Sequence, residues 1–521
     1  MTREKTRTEL GLSRRGFVQA GSAAVSAALL GVAPGSALAQ GTPKRGGRAR
    51  LAFSDHSAQD TLDPRKASNL HDRGRTLAIC NTLVKYSDDM KPMPELAESW
   101  DVSANGMVWT FKLRSGVVFH NGKSMTADDV VYSLNMHRPP NQSIATYLFA
   151  AVQDIKSDGP LTVRIEMKEP NADLPMCLGY MDPIVVPEGF TDFPNLVGTG
   201  PFKLKSFRPG VRMTAERNPN YWKSGLPYLD ELETFGIPNS QARMNALLAG
   251  DVEFITRVDP RQISLIERSD QVKMAAGKGT RFITLPMMVD QAPFDNLDLR
   301  LALKYSIDRE GILRDVRKGF GTLANDHPVP PVDPFYCRDM PQRAYDPDKA
   351  KFHLKKSGLE QAKLLLHTSE AMGGEGPDIA VHFQQSAAKI GLNFEIRREP
   401  VEGYWGNVWM KRPFHMSTFQ GRPTADMILS VNHMSDARWN ETRFRSDKVD
   451  QLLKAGRSIN DQAKRKEIYC DVQRIVADEG GTILPIFMDY LDARSAKLQG
   501  YQPHAISEAG GARLSETIWM A

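Results

Sequence analysis

An α/β fold is predicted by three observations: an order of strand-like and helix-like periodicities after residue 360, a strictly alternating run at 161–168, and capped helical segments between the strands. After 360 the order is strand (364–367), helix (378–390), strand (392–396), helix (403–410) and strand (416–420). Strands alternating with helices imply a sheet with ligand sites at the carboxyl ends of its strands. In the run Leu161-Thr162-Val163-Arg164-Ile165-Glu166-Met167-Lys168, apolar and polar residues change at every step, so one face is buried and the other wet. Asp158-Gly159 just before it is a turn signal, which predicts a hairpin.

The remaining elements follow in order. A polar lead at 40–47 precedes a strand with Ala49, Leu51 and Phe53 on one side, and a second strand at 107–113 alternates Trp109, Phe111 and Leu113. Thr126 with Asp129 three residues on is a capping box for a helix to about His137, stopped by Arg138-Pro139-Pro140. Leu299, Ala302, Leu303 and Ile307 form one helical face. Asp346-Pro347 opens a helix that Gly358 ends, and a long helix runs from 461 to 477.

At 521 residues, with 41% hydrophobic and 25% charged, the chain is of ordinary globular composition and long enough for two or three domains. The formal charge of +5 falls to +2 when residues 1–39 are set aside, which gives no case for nucleic acid or an anionic membrane. Cys80, Cys177, Cys337 and Cys470 are far apart in sequence, so no CxxC pattern exists. They are expected as four small buried apolar residues; a disulfide between an unspecified two is the alternative in an oxidising compartment.

Ser13-Arg14-Arg15-Gly16-Phe17-Val18-Gln19 resembles the twin-arginine export motif. A weakly apolar stretch at 21–33 and the cut site Ala37-Leu38-Ala39 complete the three parts of a signal peptide. Nothing else approaches the roughly 18 apolar residues of a membrane helix. The expectation is a periplasmic protein cleaved after about Ala39.

Several blocks resemble the large peptide-type class of periplasmic solute-binding proteins of ABC importers, which includes dipeptide, oligopeptide, nickel, sugar and glutathione binders. They are Leu62-Asp63-Pro64; Pro94-Glu95-Leu96-Ala97-Glu98-Ser99-Trp100; Trp109-Thr110-Phe111-Lys112-Leu113-Arg114-Ser115-Gly116 running to Asn121-Gly122; Gly198-Thr199-Gly200-Pro201-Phe202; Asn218-Pro219-Asn220-Tyr221-Trp222; Pro293-Phe294-Asp295-Asn296; and Tyr345-Asp346-Pro347. The resemblance implies a two-lobed, Venus-flytrap fold of α/β class with a hinge. Lobe I would comprise 40–282 plus 487–521, with an inserted subdomain at about 75–190, and lobe II 283–486. It implies a monomer that closes on a small ligand, such as a peptide or an opine-like compound, and delivers it to permease subunits in the inner membrane, with no cofactor. Two departures, Asn81-Thr82 where similar proteins have Glu and Met288 where they have Asn, point away from ordinary dipeptides.

In peptide binders of this type, an Asp after a second-lobe strand holds the ligand's ammonium group. The resemblance carries that role to Asp426, while Arg422, four residues earlier, suits a carboxylate by a bidentate pair. Tyr404, Trp405 and Trp409 supply aromatic area for a cleft wall. Asp55 and His56 follow the first strand at the cleft loop of lobe I, and Thr199 sits near the hinge. His415 and His433 are 18 residues apart with no acidic or Cys ligand beside them, so no metal site is expected; nickel and sugars stand as alternative ligands of the same family. The rival from another class is an exported enzyme. It would need a catalytic constellation, and the chain carries no GxSxG, HExxH, P-loop or helix-opening GxGxxG.

Overall fold

The computed structural model describes residues 42–55 and 57–521. The export segment expected at 1–39, and His56, lie outside the described residues.

The first strand, β1 (Arg48–Phe53), buries Ala49, Leu51 and Phe53 as its alternation predicts. Helix α1 (Leu70–Ile79) follows, capped by Asn69, whose side chain accepts from the Asp72 N–H. A four-stranded antiparallel sheet comes next, from β2 (Ala97–Val102) and β3 (Val108–Leu113), helix α2 (Ala127–Asn135), then β4 (Val152–Ser157) and β5 (Thr162–Met167), in the order β2-β3-β5-β4. The hairpin expected at Asp158-Gly159 joins β4 to β5. The Thr126–Asp129 capping box forms at the start of α2, which ends short of Pro139. The short helix α3 (Leu174–Leu178) leads back to a meander of β6 (Phe202–Arg208), β7 (Arg212–Arg217) and β8 (Glu231–Gly236). Strand β9 (Phe254–Ile255) then precedes the long β10 (Val272–Pro286).

Beyond β10 the chain forms α4 (Leu297–Ser306), whose stripe Leu299, Ala302 and Leu303 is buried, and α5 (Pro347–Ser357). Asp346 caps α5 by accepting from the Lys349 N–H, and Gly358 ends it at φ 67°, a left-handed position that glycine fills without strain. Next come β11 (Leu364–Thr368), α6 (Glu375–Ala388), β12 (Phe394–Arg398), the single turn α7 (Tyr404–Asn407) and β13 (Ser417–Phe419). Helix α6 starts three residues earlier than expected, because Pro377 sits in its first turn, where a missing N–H costs nothing. The helix expected at 403–410 shrinks to α7, between left-handed residues Gly403 and Met410. Helices α8 (Ala425–His433), α9 (Asp447–Ser458) and α10 (Gln462–Glu479) precede β14 (Ile486–Ser495).

The central sheet runs β13-β10-β14-β9-β1-β8-β7-β6, with β1 parallel to both of its neighbours. Buried apolar side chains fall into separate clusters. One spans residues from Ala49 to Ala275 and is rejoined by Leu498 to Ile518; a smaller neighbour holds Met244, Ile263 and Leu491. Two more lie between Phe282 and Met488. The antiparallel pair β10 and β14 links the two sides. The expected crossings at 282/283 and 486/487 fall within these strands, where Phe282 and Phe487 are register partners. The register shifts between Gly277 and Arg281, and a Cβ at Gly279 would stand 2.1 Å from the Met488 carbonyl oxygen, so only glycine fits there.

The cysteines correct one expectation. Cys80 and Cys177 are buried thiols, but Cys337 and Cys470 are joined in a disulfide with Cα atoms 4.8 Å apart. A separation of 133 residues hides this pairing from sequence; α10 and the loop before α5 must first be folded together.

Candidate ligand cleft

Arg257 is the centre of the cleft. It follows β9, and its φ of 52° is uncommon for a residue with a side chain. Two carboxylates hold it there: Nη1 donates to Asp55 Oδ1 and Nε to Glu508 Oε1, each at 3.0 Å. Burial works against its charge, but Glu508 and Asp55 more than offset this and raise its pKa. Backbone held in a sparse region by surrounding contacts is a frequent mark of a functional site.

Two cavities share Arg257 as a wall. The larger, about 510 Å³, lies between the loop after β9 and the segment leading into α6, with Arg281, Arg317 and Tyr490 among its lining. The smaller, about 200 Å³, is lined by Asp55, Asn69, Arg73, Tyr180, Gln420 and Ser507. Tyr490, on β14, fixes the floor: its hydroxyl stands 3.3 Å from Gln420 Oε1 and 3.2 Å from the Ile506 carbonyl oxygen, either of which can accept its one proton. Arg73 is held by both oxygens of Asp182, at 2.8 and 3.0 Å, and lies 5.4 Å over the Tyr180 ring.

Arg422 differs from these arginines. Its guanidinium carbon stands 5.7 Å from the ring centroids of both Tyr147, on the β3–β5 side of the molecule, and Trp439, on the α8 side. Among the described residues it has no hydrogen bond or ion pair, and its Nε is buried without a partner. A guanidinium fork with unspent N–H groups matches the geometry of a carboxylate.

The structure distributes the other expected contacts. Asp55 lines the smaller cavity but is engaged by Arg257 and by the Leu70 N–H. Asp426, at the second position of α8, is 4% exposed. Its Oδ2 accepts from Arg457 Nε at 3.0 Å, and burial, ahead of the opposing Arg457, raises its pKa. Tyr404 is buried and its hydroxyl donates to the Met416 carbonyl at 2.8 Å. Trp405 is 42% exposed and packs edge-on against Tyr404 and Trp409. Trp409 donates from Nε1 to Glu441 and contacts Trp439 at 6.4 Å, so it backs the ring under Arg422. Thr199 is wholly buried and donates to Asn81 Oδ1 at 3.0 Å, in a scaffold network that also takes Trp222 and, through Asn81 Nδ2, Glu95 and Tyr221. Asn81, a departure from the family pattern, is therefore a buried hub.

Sequence reasoning missed Arg257, Arg73, Tyr180, Tyr147 and Trp439. Only chain folding brings Arg257, Arg73 and Tyr180 to the walls of the cavities, and Tyr147 and Trp439 to the two sides of Arg422, which itself lines neither cavity. A local signal existed for Arg422, which shares a loop with Asp426 after a predicted strand. His415 is spent on backbone: its Nδ1 bonds the Arg412 carbonyl at 2.8 Å, and among the described residues no group of three or more His, Cys, Asp or Glu is placed to hold a metal ion.

Comparison with known proteins places this geometry in context. The sequence profile described as "Bacterial extracellular solute-binding proteins, family 5 Middle" matches residues 91–432. The glutathione-binding protein GsiB of Pectobacterium atrosepticum is 26% identical over 459 residues, covering 85% of this chain and 89% of that protein. Among solved structures, the ABC transporter-associated periplasmic binding protein DppA from Helicobacter pylori, in complex with the peptide STSA, superposes with a TM-score of 0.75 at 23% identity, over 92% of this chain and 98% of that one. The binding protein AgaA from A. tumefacien R10, in complex with agropinic acid, gives 0.76 at 24% identity, over 91% and 99%. These folds are two-lobed, with a cleft between the lobes.

Proposed function

The chain belongs to the bacterial extracellular solute-binding proteins of family 5, and from that premise we propose that it captures a small carboxylate-bearing peptide or amino-acid conjugate between its lobes. Membership makes it the substrate-binding component of an ABC importer. The observation that carries the ligand class is Arg422, a cation with unspent N–H groups between Tyr147 and Trp439. The relatives named above bind glutathione, a peptide and agropinic acid, according to their descriptions. All three ligands carry carboxylates, which is the chemistry Arg422 offers.

We assign lobe I to 40–282 plus 487–521, with an inserted subdomain at about 75–190, and lobe II to 283–486. The separation of the buried clusters supports this division. Residues 1–39 are assigned as a twin-arginine signal peptide, and the mature protein to the periplasm. The disulfide between Cys337 and Cys470 supports an oxidising compartment.

The test is calorimetry against a panel of peptides, glutathione and opines, each paired with its carboxamide analogue. A ligand that binds wild type is expected to lose at least about tenfold in affinity with Arg422→Gln. Its carboxamide analogue is expected to bind both proteins equally weakly. Equal affinity of wild type and Arg422→Gln for the free acid refutes the assignment of Arg422.

A further inference from the structure

A second set of contacts crosses from one lobe to the other without touching either cavity. The segment after β5 reaches α9 and α10. The Ala172 N–H donates to the Arg457 carbonyl at 2.9 Å, at the end of α9. Asp173 Oδ1 accepts from Arg465 Nη2, on α10, at 2.6 Å. Glu169 stands 3.7 Å from Arg457, whose Nε holds Asp426. Met427 and Val332 pack their side chains against the first lobe's core.

The two halves of this seam are anchored separately. Leu174, Cys177 and Leu178, just beyond Asp173, are buried in the first lobe. Arg465 is fixed within the second: Nε donates to the Gly456 carbonyl at 3.0 Å, and the guanidinium lies 4.6 Å over the Phe335 ring. Both partners are nearly inaccessible, the Arg465 side chain at 2% and Asp173 at 5%. Asp173 Oδ2 is buried with no partner.

We propose that Asp173, Arg465 and Arg457 form a closure latch, setting ligand affinity through the free energy of the closed form while making no contact with the ligand. The inference rests on the two-lobed reading of the function. Separating the lobes hydrates both ions, and closing them exchanges that hydration for a short ion pair. Desolvation and attraction nearly cancel for such a pair, so the closed form is held without being locked. Removing one partner breaks this balance in one direction. In an Asp173→Asn protein, Arg465 is uncompensated only when the lobes are closed, so the substitution penalises closure alone. Asp426 belongs to the same assembly, because it holds the Arg457 guanidinium that faces Glu169 across the seam.

Hydrogen exchange of single amides in the ligand-free full chain reads the latch directly, because opening exposes the Ala172 N–H. Asp173→Asn is expected to speed exchange at Ala172 by about tenfold or more, with the core amides of β3 and β11 unchanged. Glu169→Lys, at an exposed position, sets a cation against Arg457 and is expected to speed Ala172 by about threefold with no risk to folding. Unchanged exchange at Ala172 in either variant overturns the proposal. Equal acceleration of Ala172, β3 and β11 also overturns it, since the pair would then stabilise folding and not closure. The readout needs no ligand, so a failed ligand panel would bear on the proposed function and leave this result standing.

Discussion

Glu441 is a carboxylate with an unusual setting, buried behind the aromatic wall of the cleft. Thr284 donates to it at 2.9 Å and Trp409 donates from its indole, yet no cation reaches it among the described residues. Burial therefore dominates and pushes its pKa up to about 7 from an ordinary 4.5. Below about pH 4.5 the folded and unfolded forms both hold the proton. Between there and about 7 only the folded form does, so this group's contribution to stability falls as pH rises through that window and levels off above it. Glu441→Gln keeps the shape and removes the titration. Urea unfolding is expected to show a flatter pH dependence and a gain of about 2–3 kcal/mol at most at pH 8. At the same scale, the cleft was only partly legible in the sequence. Arg422 and Asp55 follow predicted strands, where α/β ligand sites gather. Family position alone points to Asp426, and its partner, Arg457, comes from a helix that no local pattern ties to that loop.

Among the elements, the disulfide offers the sharpest test. It ties α10 to the loop before α5 across 133 residues, a long closed loop in the unfolded chain. Replacing both Cys337 and Cys470 by Ser is expected to cost about 2–5 kcal/mol in denaturant titration. Thiol counting of the unreduced, denatured wild type is expected to find two free groups, Cys80 and Cys177. Elements with strong local chemistry were legible in advance: the alternation of β5, the capping box of α2, and the Asp-Pro start and Gly stop of α5 all form as read. Where tertiary packing decides, the local pattern misleads. The aromatic run at 404–409 reads as a helix, but left-handed backbone at Gly403 and Met410 confines it to one turn, and its rings turn to Glu441 and Trp439 instead of continuing a helical face.

At the scale of the whole molecule, β10 and β14 are the strands at which the proposed lobe boundaries fall, and the proposed latch joins the same two lobes elsewhere. The β10–β14 pair, with its register shift at Gly277, is where the lobes must pivot if they move. The proposed export is the other question at this scale. Substituting Lys for Arg14 and Arg15 together is expected to keep the protein in the cytoplasm as a precursor, visible by fractionation and by a mass larger by 39 residues; unchanged periplasmic protein would remove the twin-arginine assignment.

The position of β1 has a consequence for how the protein is made. Its first strand is interior to the sheet, paired with residues 231–236 and 254–255 and separated by one strand from 486–495, while Met520 lies against Gly47. As the ribosome releases the chain from its amino end, the strand that emerges first must wait for partners about two hundred residues later, and the sheet beside them is completed only when 486–495 arrives. Residues 283–486 are contiguous and meet no such delay. On the proposed lobe boundaries, the second lobe is therefore expected to take shape on the ribosome, and the first only after synthesis has reached the carboxyl-terminal segment.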